Sequence, residues 1–160
     1  HDKEKTMSRI QSAFGDSYQK AHLRTKTFEL GGHVFKVRIP LTKEMEQIEE
    51  AIEKINPEDL QTRYEKMSAS FRTGTVIEGI EITEDDVIIE GRSTKDLVKK
   101  IIMMENRMVQ FIRLLVPEVG TLDDITYEDI DAEWPMAVQL EMIAKITESI
   151  QPGYKDSRKN

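Results

Sequence analysis

The feature that most constrains this chain is one long apolar stripe. Leu97, Ile101, Met104, Met108, Phe111 and Leu115 recur at intervals of 4, 3, 4, 3 and 4 residues. That spacing places all six on one side of an α-helix. Val98, Ile102 and Ile112 widen the stripe, and a face this broad forms a core or pairs with another helix. Ser93 precedes it as an N-cap, with Asp96 three residues on, a variant of the capping box. Pro117 and Gly120 are expected to stop the helix.

The rest of the chain reads around that helix. Met7, Ile10, Phe14 and Tyr18 suggest an amphipathic helix over 3–20, with 1–25 as an N-terminal helix or a mobile arm. From 26 to 39 the period changes to two. Phe28 and Leu30, then Val34, Phe35, Val37 and Ile39, flank Gly31-Gly32, which predicts a β-hairpin closed before Pro40. Thr42 is the expected N-cap of a helix carrying Met45, Ile48, Ile52 and Ile55. Asn56-Pro57-Glu58-Asp59 starts another: Asn caps, Pro suits the first turn, and the acids favour the positive helix end. Its buried stripe is expected to be Leu60, Tyr64, Met67 and Phe71, with Gly74 closing it. Residues 75–91 suggest a second hairpin turning at 83–86, with Gly79 as a bulge. Residues 118–133 are acidic and turn-like. Trp134-Pro135 opens a last helix with Val138, Met142, Ile146 and Ile150 inside, ended by Gln151-Pro152-Gly153. Residues 154–160 read as a disordered basic tail. The expected fold class is α+β: a mainly helical single domain over 26–153 with one or two small β-hairpins.

Composition narrows the function classes. The 160 residues carry no cysteine, which removes disulfides, thiolate metal sites and cysteine nucleophiles. No run approaches the length of a membrane span, and no secretory signal is visible, so an intracellular protein with no membrane partner is expected. The chain begins His1-Asp2, and His1 is left out of any functional argument. His22 and His33 form no metal-ligand pair, and His33 reads as a solvated turn residue. The acidic run 123–133 lacks the spacing of a calcium loop. No nucleophile elbow or phosphate-binding loop occurs. No catalytic, metal or cofactor-binding residue is therefore expected, and the chain is read as a non-enzyme.

Two binding readings remain. Arg92, Lys95, Lys99, Lys100, Arg107 and Arg113 decorate the long helix, which suggests a nucleic-acid-associated regulator using 92–113. The net charge of −7, the acidic neighbours and the lack of interleaved aromatics favour a solvated helix face instead. Protein binding has more support. Methionine is flexible and polarizable, and adaptable binding surfaces use it heavily. Met103, Met104, Met108 and Phe111 on the long helix, Trp134 and Pro135 at the junction, and Met142 on the last helix are the expected partner contacts.

Two stretches sharpen that reading. Lys26-Thr27-Phe28-Glu29-Leu30-Gly31-Gly32-His33-Val34-Phe35 opens the chain's extended segment. Ile130-Asp131-Ala132-Glu133-Trp134-Pro135 leads into the final helix. The combination resembles the tail assembly chaperones of long-tailed bacteriophages, the family of the phage lambda G protein. The resemblance implies a protein made in the host bacterial cytoplasm and absent from the mature virion. It implies binding to the tape-measure protein and recruitment of the tail-tube protein, chiefly through a frameshifted longer form. A homo-oligomer is plausible on the width of the 97–115 stripe. A structural head–tail completion protein of the virion is the remaining alternative.

Overall fold

The computed structural model describes residues 7–74 and 76–151. Among them are seven α-helices and two small antiparallel sheets, an α+β fold dominated by helix. Where one domain is expected, the chain divides into two compact units. The first unit holds the described residues up to Leu41, then Phe111–Asp124 and the chain from Trp134 onward. The second holds Thr42–Gln110 and Ile125–Glu133. Residues 7–25 fall in the first unit with the first hairpin. The 154–160 tail lies outside the described residues.

The first unit begins with two short helices in place of the single one expected over 3–20. Helix α1, Arg9–Phe14, is capped by Ser8, whose Oγ accepts from the Gln11 N–H at 3.0 Å. Gly15 ends it at φ +76°, a conformation that L side chains rarely adopt. Helix α2 is one turn, Lys20–Leu23. Strands β1, Thr25–Leu30, and β2, His33–Arg38, form the predicted hairpin, with Leu30 opposite His33. Both turn glycines have positive φ, as a two-residue hairpin turn requires. Phe28 and Phe35 face each other across the strands with ring centroids 5.5 Å apart. Helix α7, Met136–Ile150, packs on this hairpin. It buries Met142, Ile146, Gln139 and Ser149. Gln139 is polar but satisfied: its Nε2 donates to the Trp134 carbonyl at 2.8 Å.

The second unit is built on helices α3, Thr42–Glu53, and α4, Pro57–Ser68, and on most of α5, Thr94–Ile112. Thr42 is already helical, not the cap that its side chain suggests. Asn56 is the cap expected for α4, with Oδ1 accepting from the Glu58 and Asp59 N–H groups at 2.8 and 3.2 Å. Helix α4 stops at Ser68, and a 3₁₀ turn, Ala69–Phe71, carries the chain on, so Gly74 lies past the end. Strands β3, Ile80–Ile82, and β4, Val87–Ile89, make the second hairpin. A third strand, β5, Arg92–Ser93, extends that sheet and leads directly into α5.

Two departures concern where helices end and begin. Helix α5 ends at Ile112, before Leu115. Residues 114–116 line up along β2 instead. The Arg38 N–H donates to the Leu114 carbonyl, and the Val116 N–H to the Lys36 carbonyl, each at 2.8 Å. Val116 precedes Pro117, and that position disfavours helical geometry. The acidic stretch also holds a helix, α6, Tyr127–Glu133, which buries Ile130. Thr126 and Asp129 form its reciprocal cap. The Asp129 N–H donates to Thr126 Oγ1 at 3.3 Å, and the Thr126 N–H to Asp129 Oδ2 at 3.0 Å.

Candidate partner-binding surface

In the second unit, Tyr64 of α4 and Val98 and Ile102 of α5 form a small buried cluster, with Ile55 and Leu60 against it. Arg63 crosses from α4 to α5 and pairs bidentately with Glu105, both N···O distances 2.8 Å, and its Nε meets Asp59 at 3.0 Å. The Glu105 hydrogen bonds raise the guanidinium pKa further, against the opposing effect of burial. The next residue of α5, Asn106, donates from its side chain to the Ile52 and Lys54 carbonyls, both at 3.1 Å, satisfying the end of α3.

Beside that cluster the two helices leave an open apolar groove of about 420 Å³. Met67, Val98 and Ile101 line it, with Arg63 and Lys66 at its edge. Met67, expected inside, is 39% exposed, and Leu97, one turn before Ile101, is 51% exposed. Tyr64 and Ser68 on α4 and Val98 and Ile102 on α5 take the covered positions, which leaves Met67 and Leu97 beside them facing outward. The surface the groove offers is mainly apolar, with two basic side chains among its lining residues.

The expected contact residues separate by burial. Met108, Phe111 and Met142 are sealed within the chain, none more than 3% exposed. They pack the interior and are not presented to a partner in this conformation. Met103, Met104 and Trp134 are half-buried, and Pro135 is exposed. Trp134 and Pro135 lie in the first unit, away in sequence from the groove-lining residues. Met67, absent from the expected set, lines the groove with Ile101, and Leu97, also absent, is exposed one turn before Ile101 on α5.

The basic residues expected on the long helix differ in exposure, and Arg92 lies in β5 and Arg113 past the end of α5. Arg92, Lys99 and Lys100 are exposed, whereas Arg107 and Arg113 are half-buried and engaged within the chain. Lys95 places its ammonium 5.1 Å from the centre of the Tyr64 ring. Among the described residues, no three His, Asp or Glu side chains converge as a metal site, and no helix is long and apolar enough to cross a membrane. Compared with protein-family models, with curated proteins and with solved structures, the chain matches none.

Proposed function

We propose that this protein is a non-catalytic tail assembly chaperone of a long-tailed bacteriophage. In this reading it binds the tape-measure protein in the host bacterial cytoplasm, keeps it soluble, and helps to recruit tail-tube subunits. A frameshifted longer form would make the tube contact. The observation that supports it best is the open apolar groove between α4 and α5. A groove lined by Met67, Val98 and Ile101 accepts many aliphatic side chains, because methionine adapts its shape at low cost. A long client repeats such side chains along its length, so weak contacts add through effective concentration. The net charge of −7 keeps a chaperone with exposed apolar surface in solution. The engagement of half-buried Arg107 and Arg113 within the chain weighs against the nucleic-acid reading.

The test is co-expression with the tape-measure protein of the same phage. Wild-type chaperone is expected to bring the client into the soluble fraction. Met67→Glu with Leu97→Glu is expected to abolish that effect while leaving the far-ultraviolet circular dichroism unchanged, since both side chains are exposed. A client that stays insoluble beside the wild-type chain sinks the proposal. So does a double variant that solubilises as well as wild type.

A further inference from the structure

We draw no further inference here: the strongest candidate, the cavity of about 450 Å³ in the first unit lined by Lys20, Arg24 and Arg38, carries none, because both arginines are already engaged within the chain and nothing in the structure shows what would occupy it.

Discussion

Asp86 organises the entry to the longest helix with one carboxylate. Its Oδ1 accepts from the N–H groups of Val87 at 2.8 Å and Lys95 at 3.1 Å, and its Oδ2 accepts a short hydrogen bond from the Ser93 hydroxyl. Ser93 Oγ in turn accepts from the Asp96 N–H at 3.1 Å. Burial pulls the Asp86 pKa upward, but the Ser93 hydroxyl, the two backbone N–H groups and the Lys95 charge outweigh it, and the net shift is downward. A carboxyl depressed by folding stabilises the native state at pH values above its unfolded value, 3.8. That contribution is lost as pH falls through the lower folded value. Asp86→Ala is therefore expected to cost about 1 kcal/mol at neutral pH, the usual effect of losing a helix cap. Urea unfolding at pH 7 and at progressively lower pH measures it: the gap between wild type and variant closes on acidification. A gap that widens instead contradicts the assignment. Ser93 is legible from its neighbours, because capping works over three residues. Asp86, seven residues upstream, is not. It reaches the helix only because the β4–β5 turn folds it back.

That turn is the clearest strain among the elements. Ile89 pairs with Arg92, so Glu90-Gly91 closes the hairpin in two residues, both at positive φ, with Glu90 at +52°. Glycine tolerates this, whereas a glutamate pays for it in backbone strain. The Glu90 N–H donates to the Gly79 carbonyl at 2.8 Å, which holds the turn against the start of β3. Glu90→Asn keeps that N–H and supplies a residue that adopts the left-handed region more readily. It is expected to stabilise the chain by about 1 kcal/mol, read as a higher unfolding temperature by calorimetry. An unchanged or lower temperature counts against strain at this position. The hairpins themselves were legible as alternating runs around turn residues. The third strand was not, since two residues carry no period. Nor was the end of α5, where apolar spacing continues to Leu115 while the backbone has already left the helix to pair with β2.

At the scale of the whole molecule, charge and apolar exposure act against each other. The chain carries −7 at neutral pH and has a sequence isoelectric point of about 5.1. It exposes apolar side chains on α1, α4, α5 and α7. A net charge of one sign opposes association through mutual repulsion, so lowering the pH toward 5.1 is expected to raise light scattering, and returning to pH 7.5 to reverse it. Scattering that is flat across that range would mean that charge is not the restraint. The sequence by itself determined the elements whose signals are local: the Gly31-Gly32 turn, the Asn56-Pro57 helix start, the Ser93 cap and the helical spacing of 97–112. It also determined that α5 carries a broad apolar stripe. Only the tertiary structure decided which apolar residues are inside. Met108 and Met142 are sealed while Met67, Leu97 and Leu140 are open, yet all five sit at helical spacing in apolar company. Periodicity states which side chains share a face. Whether that face is covered depends on chain distant in sequence, and no local pattern encodes it.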